Sequence, residues 1–408
     1  MGLTRDVLAR WAARRPHLLV VAAPGATGVR LAVEAHADRA GWSLAASPAD
    51  ADLLVVAGDP GPELTAAVDR VWDQIPGPRA RTRITDPVGV PSALAAAVAR
   101  WTGTGGKQTD TGPPGPGGQG PGAGDVPVAG REPRTGHRAH PGPGRRADDV
   151  RGAGRGRQHG RSARHDQGGH DGMSMPGGLM MAERAGDRDG LTLDVLHLAL
   201  GPVLADWPAG LAVELAVQGD VVQAADARVL PPADPATVRP YRDVEHPGLC
   251  RRRQAVAHLD SLGRLWAVVG WPAGAVAARR LRDALVDHVP LAVAYAGFVA
   301  LDRRARRSRA LRRATDGLGV LSPVSAARAG TEDPAAVCGD ATARWRHRLA
   351  ETGRLLAGGG PAAPGSGAAK VLELAAGLTV GLDLAAARVV LASFDPDPDQ
   401  VVAEGTRS

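Results

Sequence analysis

Apolar and polar positions alternate along this chain with two different periods, and the switch between them marks the elements. LTRDVLARWAARRP (3–16) has helical spacing. HLLVVAAPGATG (17–28) is an apolar strand running into a Gly/Pro turn, and VRLAVEAHADRAG (29–41) reads as a helix closed by Gly41. ADLLVVAGDP (51–60) is a second apolar strand. PELTAAVDRVWDQIP (62–76) is a helix begun near Pro62, ARTRITD (80–86) a third strand and VPSALAAAVARW (90–101) a closing helix. Strands that are apolar throughout and alternate with helices over short connections predict a parallel sheet covered on both faces.

From 102 to about 178 the periodicity is lost. GTGGKQTDTGPPGPGGQGPGAG leads into an Arg/His/Gly stretch with almost no large aliphatic residues. Such a composition buries too little surface to offset its ordering entropy, so a disordered linker is expected. The pattern resumes at 179. LTLDVLHLALGP and AGLAVELAVQGDVVQAADARVL alternate as strands do, with Gly219-Asp220 at the turn. Helical spacing follows in RQAVAHLDSLGRLWAVVG, AGAVAARRLRDALVDHV, PLAVAYAGFVALDRRARR and AAVCGDATARWRHRLAETGRLL. LAAARVVLASFDPDP reads as helix or strand into a turn. The expected fold is therefore an α/β doubly wound parallel-sheet domain (1–101), the linker (102–178), and an α+β domain with a small antiparallel sheet and a helical bundle (179–408).

Composition sharpens this picture. With only two Phe and two Tyr among 408 residues, the cores must be built from Ala, Val and Leu, with eight Trp as the large pieces. The 54 Gly and 33 Pro are unevenly spread, and both are denser in the linker than in the folded parts. The formal charge of +6 comes from Arg, since Lys occurs only at Lys107 and Lys370. That Arg excess is diffuse and carries no interleaved aromatics, which argues against nucleic acid as a partner. Cys250 and Cys338 share no CxxC spacing and read as small packing residues. The longest apolar stretch, around Val289 to Leu301, is too short for a membrane span, and Asp6 argues against a signal peptide. A cytoplasmic location is the expectation.

Two local motifs in the first part carry a resemblance. SPADADLLVVAG (Ser47 to Gly58) and RVWDQIPGPRA (Arg70 to Ala80), in this order and spacing, resemble the small, cluster-bearing B-type subunit of the respiratory NADH–quinone oxidoreductase, complex I, with Trp11 in its opening helix. The second part resembles the D-type subunit of the same complex, a relative of the nickel–iron hydrogenase large subunit. LALGPVLADWPAGLAVELAVQGDVV (Leu198 to Val222) and AHLDSLGRLWAVVGWPAGAVAARRLRDAL (Ala257 to Leu285) carry that likeness, and RWRHRLAET (Arg344 to Thr352) and LDLAAARVVLASFDPD (Leu382 to Asp397) extend it.

The departures from both families fall on their active positions. B-like subunits hold their iron–sulfur cluster through a Cys-Cys pair after the first strand and a further Cys after the strand that follows the Pro-x-Pro motif. Here those loops read AAPGATGV (Ala22 to Val29, with Ala22, Ala23 and Gly25) and ITDPVGV (Ile84 to Val90, with Asp86), without a thiolate. The D-like quinone element His-Pro-x-x-His is replaced by Leu204, Ala205, Asp206 and Trp207, and the paired nickel cysteines are absent. Trp207 is the position that would face a quinone, although packing is the commoner use of such a residue.

Outside the resemblance, the linker holds His137, His140, His159, His165, His170, Met173, Met175, Met180 and Met181. Imidazole and thioether donors suit copper or nickel, and His159, His165, His170, Met173 and Met175 form the densest group, although without preformed geometry any binding would be weak. The strand–turn–helix at 17–41 has the outline of a phosphate loop but lacks GxGxxG and the Lys-Ser/Thr of a P-loop, so a tight turn is the simpler reading. Asp395, Asp397 and Asp399 in SFDPDPDQ, and Asp187 and Asp189 in AGDRDG, read as solvated turn residues. No Ser/His/Asp or Cys/His set is apparent, and no catalytic residue is expected.

The leading expectation is a non-catalytic pseudo-subunit of a respiratory or hydrogenase-like complex, without an iron–sulfur cluster, serving structure, assembly or regulation. Its partners would be the other subunits, through which it would reach the inner face of a membrane, with the fusion holding its two parts at high effective concentration. The alternatives are a redox subunit that passes electrons to quinone with partner-supplied cofactors, and a His/Met metal-handling protein.

Overall fold

The computed structural model describes residues 15–103, 184–186, 192–328, 330–331, 333–362 and 367–407. Trp11, Asp187, Asp189 and the whole His/Met run lie outside them.

The first sheet is parallel, in the order β2-β1-β3-β4: β1 (His17–Ala22), β2 (Ser43–Leu44), β3 (Leu53–Ala57) and β4 (Ala80–Ile84). Leu18 pairs with Leu53 and Leu53 with Ala80. Both faces are covered, which is why β1 and β3 carry no polar alternation. Leu18, Val20, Ala22, Leu53 and Val55 face α1 (Thr27–Ala40) and α3 (Val90–Trp101), while Leu19, Val21, Leu54 and Val56 face α2 (Pro62–Gln74). Gly41 ends α1 in the left-handed region (φ 69°), where glycine carries no Cβ penalty. The two-residue edge strand β2 was not foreseen, being too short to show a period.

The second sheet is antiparallel, in the order β5-β6-β7-β8: β5 (Arg184–Gly186), β6 (Thr192–Leu200), β7 (Leu211–Gln218) and β8 (Val221–Val229). Leu211, Val213, Leu215 and Val217 alternate along β7 and bury one face against α11 (Ala368–Gly377) and α12 (Leu384–Phe394). Ala212, on the other face of β7, joins the first sheet's core together with Leu230.

The bundle is centred on α4 (Pro247–Val268), whose Val256, Leu259, Leu262 and Trp266 are fully or nearly fully buried. Around it lie α5 (Pro272–Val286), α6 (Leu291–Arg307), α7 (Arg309–Thr315), α8 (Pro323–Arg328), α9 (Pro334–Val337) and α10 (Ala341–Leu356), and α13 (Pro398–Gly405) closes the chain. Leu31 of α1 belongs to the bundle core, so the parallel-sheet part and the bundle share apolar surface within one compact unit.

Two expectations are corrected here. AAVCGDATARWRHRLAETGRLL is two helices: Gly339 (φ 77°) turns the chain between α9 and α10, and the Asp340 carboxylate accepts from the Ala343 amide at 2.8 Å to cap α10. SFDPDPDQ is no solvated turn. Asp397 caps α13, accepting from the Asp399 and Gln400 amides with Pro398 at the first helical position; Asp399 is buried, and the side chain of the half-buried Asp395 is only 6% exposed.

Candidate functional site

A chain of buried charges joins α1 to the bundle. Arg30 lies one helical turn from Glu34 on α1 and donates to it at 2.7 Å. Arg30 also forms a two-point pair with Asp260 of α4, at 3.1 and 2.7 Å. Arg282 of α5, which is 1% exposed, donates to Glu34 and to Asp260, each at 2.7 Å, and through Nε to Asp283 at 2.8 Å. Arg264 binds Asp260 and reaches Asp395 at 2.7 Å. Arg242 extends the chain to Asp395 at 3.4 Å and Asp397 at 3.7 Å, and Arg279 pairs with Asp206.

Carboxylates out of water usually take up a proton, and here the guanidiniums prevent it. Burial would raise Asp260, but Arg264, Arg30 and Arg282 together hold it well below the ordinary carboxylate range. Glu34 meets the same opposition and is held at about 2 by Arg30 and Arg282. Burial likewise works against Asp395, and Arg264, Arg348 and Arg242 outweigh it. Asp206 and Asp283 go the other way: burial exceeds the pull of the single arginine beside each, and both are raised.

The loop between β1 and α1 is the second component. In an open parallel sheet the crevice outside the strand ends, where strand order reverses, is the usual ligand position. Here it lies between β1 and β3, and it is closed. A Cβ on Gly58 (φ 85°) would meet the Ala26 methyl group at 2.5 Å, so the two loops are in direct contact. Ala23 is fully buried, and Ala22 and Ala26 nearly so. The Gly25 amide donates to Asp399 Oδ1 at 2.7 Å, and Thr27 Oγ1 donates to Oδ2 at 3.0 Å. The N-terminus of α1 thus receives an anion, as helix N-termini favour, but the anion is the chain's own. Burial and the adjacent Asp397 raise Asp399 to about 6, against the hydrogen bonds from Gly25 and Thr27.

The other sequence-predicted positions are scattered. Asp86 is exposed after β4 and accepts from the Val88 amide at 3.1 Å. Trp207 is nearly buried: its indole N–H donates to the Leu211 carbonyl at 2.7 Å, and it packs with the β7 core beside the half-buried Leu204. Cys250 is buried and Cys338 half-buried, both as free thiols. Among the described residues no group of three or more His, Cys, Asp or Glu is placed to hold a metal ion. Residues Ala22, Ala23, Gly25 and Asp86 do not fit an iron–sulfur cluster, because methyl groups and a committed amide offer no soft donor. The charged set was missed in the sequence, although Arg30–Glu34 and Asp260–Arg264 carry the four-residue spacing that marks helix ion pairs.

No protein-family model matches this chain, and no curated protein matches it. Among solved structures it is similar to a chain of the archaeal membrane-bound sulfane sulfur reductase, a respiratory membrane complex. Identity is 14% and the TM-score 0.39, over 51% of this chain and 98% of that one. A likeness of that size bears on neither site nor activity. No helix among the described residues is long and apolar enough to cross a membrane.

Proposed function

We propose that this chain is a structural, assembly or regulatory subunit of a respiratory or hydrogenase-like complex, a fused relative of the B-like and D-like subunits of complex I that no longer carries their redox centres. One observation supports this reading above the rest: the β1–α1 loop, where the B-like pattern would supply cluster ligands, is packed shut by Ala26 against Gly58 and capped by Asp399. A loop used to join the chain's two parts is committed to structure. The buried Arg30–Asp260–Arg282 network supports the same conclusion, since it fixes the sheet-bearing part against the bundle.

The test is anaerobic purification followed by iron and acid-labile sulfide analysis, electron paramagnetic resonance of the dithionite-reduced protein, and identification of co-purifying chains. The expected outcome is iron far below stoichiometric, no cluster signal, and co-purification of subunits of a respiratory or hydrogenase-like complex. A stoichiometric, reducible cluster overturns the proposal and favours a redox subunit.

A further inference from the structure

α6 is apolar on the face it buries and, over its first turns, on the face it exposes. Ala294, Phe298, Leu301 and Ala305 form the buried stripe at helical spacing, and all four belong to the bundle core. On the other side Ala292, Val293, Tyr295, Ala296, Val299 and Ala300 are exposed, Val293 at 62%, Val299 at 43% and Tyr295 at 39%. No charged residue occurs from Leu291 to Leu301. A helix lying on a core ordinarily turns polar side chains to solvent, so an apolar outer face of roughly three turns marks a surface that another body covers.

Charge begins where that face ends. Seven of the eleven residues from Arg303 to Arg313 are arginine, and none is acidic. Six of the seven are exposed, and Arg312 is half-buried. Ser308 Oγ accepts from the Leu311 amide at 3.2 Å and starts α7 directly after α6, so the arginines stand on two ordered helices. Arg306 pairs with Asp302 at 2.7 Å, and the Arg304 guanidinium lies 5.8 Å from the Trp271 ring centre. Among the described residues Arg303, Arg307, Arg309, Arg312 and Arg313 have no ion pair. Exposed arginines elsewhere are matched: Arg39, Arg83 and Arg228 each reach a carboxylate, at 3.0, 2.9 and 2.5 Å.

We propose that α6 and the start of α7 dock on an anionic phospholipid surface, with lipid phosphates at Arg303, Arg307, Arg309 and Arg313 and with Val293, Tyr295 and Val299 in the boundary between headgroups and acyl chains. Guanidinium meets phosphate at two points, and tyrosine favours the membrane–water boundary, where its ring is in hydrocarbon and its hydroxyl in water. Apolar burial and attraction to anionic lipid add in such a contact. A nucleic acid would satisfy the arginines and leave the apolar turns in water. The contact needs only this chain's residues and stands apart from the subunit role proposed above.

Co-sedimentation of the full chain with phosphatidylcholine vesicles, and with vesicles containing about one-third phosphatidylglycerol, in about 0.1 M salt, tests it. Binding to the anionic vesicles is expected to be at least about tenfold tighter and to fall steeply at about 0.5 M salt. Arg307→Gln, Arg309→Gln and Arg313→Gln together are expected to weaken it about tenfold or more. Arg39→Gln, Arg83→Gln and Arg228→Gln together remove the same charge from other exposed positions and are expected to change it by less than about twofold. Val293→Ser with Val299→Ser is expected to weaken binding about threefold or more while leaving its salt dependence in place. No preference for the anionic vesicles, equal losses from the two arginine sets, or unchanged binding by the valine pair overturns the proposal. So does binding of duplex DNA at the same salt without binding of vesicles, which would make the arginines a nucleic-acid surface. Should the valine pair fail to fold by circular dichroism, the two arginine sets still decide it.

Discussion

Replacing Asp260 by Asn keeps the shape of the side chain and removes the anion shared by Arg30, Arg264 and Arg282. Taking one partner from a buried pair costs about 3–5 kcal/mol, because the remaining charge is stranded. Here each guanidinium keeps another carboxylate: Glu34 for Arg30 and Arg282, and Asp395 for Arg264. That places the expected loss at the low end, about 3 kcal/mol. Glu34 gives an independent gauge. Its displacement from 4.5 to about 2 corresponds to about 3 kcal/mol of stability at neutral pH. Because its folded value is depressed, that contribution is present above pH 4.5 and is lost as pH falls toward 2. Urea unfolding monitored by tryptophan fluorescence reports the change, since Trp266 is fully buried in the bundle. The midpoint is expected to fall with an unchanged slope. Asp260→Leu combined with Arg282→Met is expected to recover much of the loss by replacing charge with apolar packing. A loss under about 1 kcal/mol would mean that the network is screened as exposed pairs are, and the argument for a desolvated seam would fail.

Other consequences are equally direct. Asp399→Asn is expected to raise stability at pH 7.5 by up to about 3 kcal/mol, with the difference from the parent vanishing below pH 4 in urea titrations across that range. Gly201→Ala forces a side chain onto a φ of 83° and into the Trp207 indole and the Leu211 carbonyl. It is expected to cost more than about 2 kcal/mol and to change the near-ultraviolet circular dichroism of Trp207. Leu262→Ala, at a fully buried position of α4, is expected to lower stability by about 2–5 kcal/mol on chemical denaturation.

What was legible in the sequence followed from periodicity. β1 and β3 declared themselves by unbroken apolar runs, and β7 by its alternation, because burial on two faces or on one imposes those patterns. Short elements left no period to read, so β2, α7, α8 and α13 were missed. Yet α13 had a physical signal: Asp397 followed by Pro398 is a helix-start pair, with a side-chain acceptor for the orphan amides and a residue that needs no donor. The alternation of Asp with Pro was read as a turn because nothing local shows that Asp399 will be buried. Its partners, Gly25 and Thr27, stand more than 370 positions earlier in the chain. The charged seam was hidden for the same reason. Arg30 and Asp260 each look like a solvated helix residue until the fold brings α1 against α4.

Glu34 and Asp399 lie on the same seam and titrate with opposite signs. Glu34 favours the folded state once it is ionised, and that gain is complete above pH 4.5. Asp399 is raised from 3.8 to about 6, so its protonated form is the favoured one. The stability this confers is fully present below 3.8 and is lost as pH rises through 6. Acidification from neutrality should therefore first raise stability by discharging the buried Asp399 beside Asp397, although its hydrogen bonds from Gly25 and Thr27 favour the anion, and only below about pH 4.5 loosen the Arg30–Glu34–Arg282 network. The two responses have separable origins. Asp399→Asn removes the slope between about pH 4 and 6 and leaves the acid limb, whereas Glu34→Gln shrinks the acid limb, which Asp260 and Asp395 share, and leaves the slope. If both variants flattened the same limb, the two carboxylates would form one titrating unit, and the seam could not be divided into a clamp at the β1–α1 loop and a network at α4.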